Sequence, residues 1–166
     1  MPSIKCTKKL ADRAGFKDLP VAENSDFDWH ANLFTIDRRF YVIFCEDASR
    51  LSVLAGPVLK RDLQDLAALL RSNLVRTLES EAFSDISIEY ALSRLSYIVI
   101  AKTDSRSVIG TINDNIWHTE VHAYHAGGVE CAGLDDLSAH LNHMPMGPLN
   151  YDRAIRAFSK KTIRVA

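Results

Sequence analysis

Cysteine is scarce in this chain, and its placement excludes two kinds of chemistry. Cys6, Cys45 and Cys131 are odd in number, far apart and without a CxxC pair. Neither a disulfide framework nor a cysteine zinc site fits that pattern. Long apolar runs are missing as well. Nothing approaches the ~18 to 20 residues that span a bilayer, and Met-Pro-Ser-Ile-Lys-Cys lacks the apolar middle of a signal peptide. No membrane association and a cytoplasmic location are therefore expected. There is no glycine-rich phosphate loop, no HExxH, no internal repeat and no low-complexity segment. No cofactor and no metal is expected. The net charge is only −1, so no global attraction to nucleic acid or an anionic membrane is implied.

What is present is ordinary for a folded protein. Hydrophobic residues make up 47% and charged residues 25% of the 166 residues, far from the composition of disorder. A chain of this size buries roughly 70% of its unfolded surface, enough for one core, and a single domain over 1–166 is expected. The charge is unevenly spread. Residues 1–17 carry Lys5, Lys8, Lys9, Arg13 and Lys17 against Asp12, and residues 150–166 carry Arg153, Arg156, Lys160, Lys161 and Arg164 against Asp152. If the two ends are neighbours, they merge into one basic patch; otherwise they are solvated faces.

The residue pattern predicts an α+β fold with a mainly antiparallel sheet and long helices packed on one face. Ile4 and Cys6 alternate with Ser3 and Lys5 as in a strand, and Thr7 caps a helix that stops at Gly15. Residues 16–28 form a polar, acidic loop. High β-branched and aromatic content predicts antiparallel strands over 29–36 and 40–45, joined through Asp37-Arg38-Arg39, with a third over 51–55 closed by Gly56-Pro57. Leu59, Leu63, Leu66, Leu70, Leu74 and Leu78 recur every three or four residues and predict one long amphipathic helix. A shorter helix over 87–96 follows, then a buried strand over 97–101. The next helix starts from Ser105 or Ser107 and ends at Gly127-Gly128, with Ile109, Ile112, Ile116, Trp117, Val121 and Tyr124 as its apolar stripe. Helices over 134–141 and 151–158 and a final strand over 162–165 complete the pattern.

Four separated motifs resemble a bacterial family of small proteins of unknown function, some borne on plasmids or other mobile elements. They are Cys6-Thr7-Lys8-Lys9-Leu10; Trp29-His30-Ala31-Asn32-Leu33 continuing to Ile36-Asp37-Arg38-Arg39; Lys102-Thr103-Asp104-Ser105-Arg106-Ser107-Val108-Ile109-Gly110 with Asn113-Asp114; and Asn142 with Pro145-Met146-Gly147. The resemblance runs over nearly the whole chain and implies no activity. Val53-Leu54-Ala55 departs from it, since similar proteins are more aromatic there, and His118, His122 and His125 stand outside it.

Chemistry is best sought at Thr103-Asp104-Ser105-Arg106-Ser107, between a strand and a helix start. Unpaired backbone N–H groups and the helix dipole at such a junction favour an anion, and Arg106 and the hydroxyls complete the contact. Thr7, Lys8 and Lys9 form a second junction of the same kind; plain helix capping explains both equally well. With ~100° per residue and Ile109 at zero, Asn113 and Glu120 fall at roughly 40° and 20°, inside the expected stripe. They should point inward and need partners, with Arg38, Arg39 and Arg106 as candidates. His118, His122 and His125 fall near 180°, 220° and 160°, facing water, and nothing brings His140 or His143 to them. Cys6, beside Lys8 and Lys9 at a helix start, is a candidate reactive thiol without a visible helper.

The leading reading is a non-enzymatic binding or regulatory domain that engages an anionic ligand or nucleic acid through its basic ends and the start of the helix at Ser105. A second is an enzyme for a phosphate-bearing or small polar substrate, using Arg106, Asn113, Asp114 and Arg38 in a cleft. A third is a protein-interaction component of a mobile-element or toxin–antitoxin operon.

Overall fold

Three neighbouring parallel strands and an antiparallel extension make up the sheet. The computed structural model describes residues 1–163. Its strands are β1 (Ser3–Cys6), β2 (Trp29–Ile36), β3 (Arg39–Glu46), β4 (Ser52–Val58) and β5 (Val99–Lys102), in the order β4-β3-β2-β1-β5. β1 is parallel to both β2 and β5, whereas β2, β3 and β4 form an antiparallel meander. The helices are α1 (Lys8–Ala14), α2 (Leu66–Ser80), α3 (Asp85–Ser93), α4 (Arg106–Ala126), α5 (Val129–Ala132), α6 (Leu134–His143) and α7 (Ala154–Ile163). The class is α+β with a mostly antiparallel sheet, as the residue pattern predicts.

The helices do not share one face. Residues of both parities are buried along β3 and β4, and strands buried on both sides need cover on both. Leu33, Val42, Phe44 and Val53 belong to one core with Leu10 of α1, Leu70 and Leu74 of α2, Ile88 of α3 and Phe158 of α7. Phe34, Tyr41, Ile43 and Leu54 belong to the other, with Val108 and Ile112 of α4, Val129 of α5 and Leu137 of α6. Each leucine fully buried in this way stabilises the fold by about 1.5 to 3 kcal/mol.

Local chemistry sets the boundaries. Thr7 caps α1 by accepting from Leu10 N, and Gly15 ends it in the left-handed region. The β2–β3 connection tightens to Asp37 and Arg38, both with positive φ, as a two-residue hairpin turn requires. The expected continuous leucine helix is broken: Lys60–Gln64 is a 3₁₀ turn, and Asp65 leaves helical geometry to cap Ala68 N at 2.9 Å. An Asp inside an apolar repeat has acted as a start signal, and Leu59 is left exposed. The strand expected over 97–101 is an edge rather than a buried element, with Tyr97 and Val99 exposed. Residues 162 and 163, expected to begin a last strand, instead close α7; the rest of that strand lies outside the described residues.

Both sheet edges have some backbone groups already bonded. At β4, Asn142 Oδ1 accepts from Ser52 N at 2.8 Å and Asn142 Nδ2 donates to Ser52 O at 2.9 Å, while Arg76 donates to Leu54 O at 2.9 Å. At β5, Lys102 N donates to Pro20 O at 2.9 Å. Among the described residues no helix is long and apolar enough to cross a membrane.

Candidate functional site

β1 and β5 lie side by side and parallel, yet the helices that follow them leave on opposite faces. α1 packs into the core with Leu10, and α4 into the other with Val108 and Ile112. At such a switch the chain parts beyond the carboxyl ends of the strands, where open α/β sheets form their ligand crevices. The two junctions singled out in the sequence therefore become neighbours. Thr103 N donates to Cys6 O at 3.1 Å, and Thr7 N donates to Ala31 O at 3.0 Å.

A concavity of about 440 Å³ opens at the α4 start, lined by Thr103, Asp104, Ser105, Arg106, Ile109 and Asn113 among others. Ser105 accepts from Val108 N at 3.3 Å, satisfying one of the first-turn donors. The N–H groups of Arg106 and Ser107, the first two helical positions, have no intrahelical acceptor. Arg106 is exposed and has no acidic partner among the described residues. Ser107 is engaged, since its Oγ accepts from Arg50 Nη2 at 3.1 Å.

Behind this lining lies a polar network that the sequence reading missed. Lys5 and His30 are register partners on adjacent parallel strands, and both are fully buried. Lys5 Nζ donates to Asn24 Oδ1 at 2.7 Å and to both oxygens of Asp104, at 3.1 and 2.9 Å, with Asp28 Oδ2 at 3.6 Å. His30 Nδ1 bonds Thr103 Oγ1 at 2.8 Å. His30 Nε2 is buried without an aligned hydrogen bond, 3.4 Å from Asp47 Oδ1 and 3.9 Å from Asp104 Oδ1. Burial pushes the His30 pKa below its ordinary value; Asp47 and Asp104 oppose that push, while Lys5 and Arg50 add to it. The missed signal was topological. Lys5 alternates with Ile4 and Cys6 as a solvated strand position would, but a strand with parallel neighbours on each side is covered on both faces.

The remaining candidates are distributed as follows. Thr7 bonds Asn32 Oδ1 at 2.6 Å and Lys9 is exposed on α1. Asp114 faces a separate concavity of about 170 Å³ with His118 and Met144. Arg38 sits in the β2–β3 turn, whose Asp37 bonds Val129 N of α5. That turn is at the far end of α4, about 30 Å along a helix of 21 residues. Arg38 and Asp114 do not join Arg106 and Asn113.

The face of α4 also differs from expectation. Its buried line is Val108, Ile112, Asn115, Thr119 and Ala123, so Asn113 and Glu120 are exposed, as are Trp117 and Tyr124. Asn115 donates to Ser52 Oγ at 2.9 Å and Thr119 to Asn115 O at 2.7 Å, so two polar residues sit in the core at no unpaired cost. Rotation of the buried line brings His118 and His122 half-buried against α6. His140 stacks on His122 at 4.5 Å between ring centroids, and its pKa is lowered by burial and by the two neighbouring imidazoles. Cys6 is buried, and that burial pushes its thiol up to about 12, against the reactive thiol expected from its position.

Of the basic ends, Lys5 and Lys161 are drawn inward, while the other pairs lie on the surface and Lys9, Lys17 and Arg153 are exposed. Besides Lys5, Lys8 pairs with Asp12 at 2.7 Å, Lys161 with buried Glu46 at 2.6 Å, and Lys160 with Asp152 at 3.4 Å.

A family model described as Domain of unknown function (DUF6933) matches residues 3–157. The chain belongs to that family. The match spans β1 through the first turn of α7 and takes in both junctions and the Lys5–His30 network. No curated protein and no solved structure matches the chain.

Proposed function

We propose that the chain is a non-enzymatic binding domain for a small anionic group, a phosphate or carboxylate, seated at the start of α4. The observation that carries this reading is Arg106, exposed on a concavity at a topological switch and without an acidic partner. The adjacent first-turn N–H groups and the α4 dipole add to the positive potential there. Separation of Arg38 and Asp114 from this place removes half of the residues that the enzyme reading needed. Withdrawal of Lys5 and Lys161 onto internal carboxylates shortens the row of free charges that a nucleic acid would need, which favours a small ligand. We further read the chain as one cytoplasmic domain of bacterial origin, on the strength of its motifs and composition.

The test is an NMR titration with inorganic phosphate, a nucleoside monophosphate and a short DNA duplex. The two small anions are expected to shift the amides of 105–107, and Arg106→Ala to weaken them about tenfold or more, as loss of a charged hydrogen bond does. Shifts elsewhere only, or an Arg106→Ala variant that binds like the parent, overturn the reading. Duplex binding that outcompetes phosphate and falls steeply with salt restores the nucleic-acid alternative.

A further inference from the structure

Behind the lining of this crevice lies the fully buried His30, whose Nδ1 is tied to Thr103 while Nε2 points at two carboxylates without bonding either. Buried nitrogens are rarely left this way, and one that is calls for an explanation. The charged groups facing the ring are Lys5 from β1, Asp47 and Arg50 from the β3–β4 turn, and Asp104 from the loop before α4. Two of these four, Asp104 and Arg50, also touch the proposed site. Thr103 and Asp104 line the concavity, and Arg50 holds Ser107.

We propose that His30 is a proton-operated control on this crevice, raising its affinity for an anion when the imidazole becomes a cation; the proposal rests on the anion-binding reading above. Protonation makes the ring a cation with a donor at each nitrogen, Nδ1 toward Thr103 Oγ1 and Nε2 toward the two carboxylates. Asp104 then closes from 3.9 Å to hydrogen-bond distance, a displacement of about 1 Å, and Asp47 by somewhat less. The Asp104 move draws negative charge off the concavity toward the ring, while the ring adds positive charge behind it. An anion at Arg106 therefore sees one more positive charge and a retracted carboxylate. By linkage the anion must raise the affinity of His30 for its proton by the same factor. Neutral His30 is the resting form at neutral pH, because burial outweighs the two carboxylates.

The experiment uses sulfate, a dianion across the whole pH range, and the intact chain. NMR follows the His30 ring proton and the amides of 105–107 during sulfate titrations at about pH 7.5 and pH 5.5, in the parent, in Asp47→Asn and in His30→Gln. Sulfate is expected to bind about fivefold or more tightly at the lower pH, and saturating sulfate to raise the His30 pKa by the logarithm of that factor. Asp47→Asn, at a half-exposed position that does not threaten folding, lowers the His30 pKa and moves the affinity change to lower pH. His30→Gln removes the pH dependence. Equal sulfate affinity at both pH values, or a His30 pKa that ignores sulfate, refutes the proton control and leaves the binding reading standing. If sulfate shifts none of the 105–107 amides at either pH, the binding reading falls, and the control falls with it.

Discussion

Replacing Lys5 by methionine tests whether the polar network behind the crevice is a true buried charge cluster. The substitution keeps the apolar stem of the side chain but removes the ammonium from three nearby groups. Asp28 loses little, since its carboxylate is independently held by Ser3 N at 2.9 Å, Ser3 Oγ at 3.0 Å and Ser25 N at 2.7 Å. Asn24 loses one acceptor contact. Asp104 loses both of its bonds to Lys5, but its side chain is 32% exposed and recovers part of its hydration. Breaking a buried pair typically costs 3–5 kcal/mol; partial exposure of Asp104 places this one near the lower end, at about 3 kcal/mol. Asp104→Asn alone leaves Lys5 with Asn24 and Asp28 and costs about 1 kcal/mol. The double variant carries no orphaned carboxylate, so it falls short of the sum by about 1 to 2 kcal/mol. Urea unfolding of the four proteins at pH 7.5 measures the cycle. Simple additivity, or a Lys5→Met cost below about 1 kcal/mol, refutes the network as described.

Asn142→Leu strips two buried backbone groups of Ser52 of their partners and should cost about 2 to 4 kcal/mol in urea unfolding, against under 1 for exposed Asn113→Leu. In the native protein a thiol reagent should label Cys131 alone, since Cys6 and Cys45 are buried with pKa values pushed up to about 12; unfolding should release both. Because the folded His30 pKa lies below its ordinary 6.5, the unfolded chain binds more protons between those values. Its contribution to stability is complete above about pH 6.5 and is lost as pH falls toward the folded value. The pH dependence of unfolding should therefore be shallower in His30→Gln over that window.

Elements with strong local signals were legible in the sequence. The Thr7 cap, the Gly15 stop, the hairpin at Asp37 and Arg38 and the Gly127 stop all follow from residues acting on their own backbone. What failed needed knowledge of neighbours. The orientation of α4 was misjudged by about 100° because its large apolar residues, Trp117 and Tyr124, are exposed while Asn115 and Thr119 are buried. Nothing within the helix marks those two as satisfied; Ser52, more than sixty residues earlier, does that. Lys5 and His30 were likewise hidden, since their burial depends on β1 lying between two parallel strands. The junctions at Thr7 and Thr103 were found from local chemistry, but only the strand order makes them adjacent.

The partly bonded sheet edges have a bearing on how this chain meets other molecules. An edge strand with free N–H and C=O groups is a template for another chain, whether a partner peptide or an aggregating copy. At β4 that template is filled by the side chains of Asn142 and Arg76, which come from helices on opposite faces of the sheet. At β5 the carbonyl of Pro20 occupies Lys102, and proline has no N–H with which to continue a ladder. Strand addition is thus closed at both of these positions. A molecule that approaches the sheet there meets side chains and a proline carbonyl in place of free backbone groups.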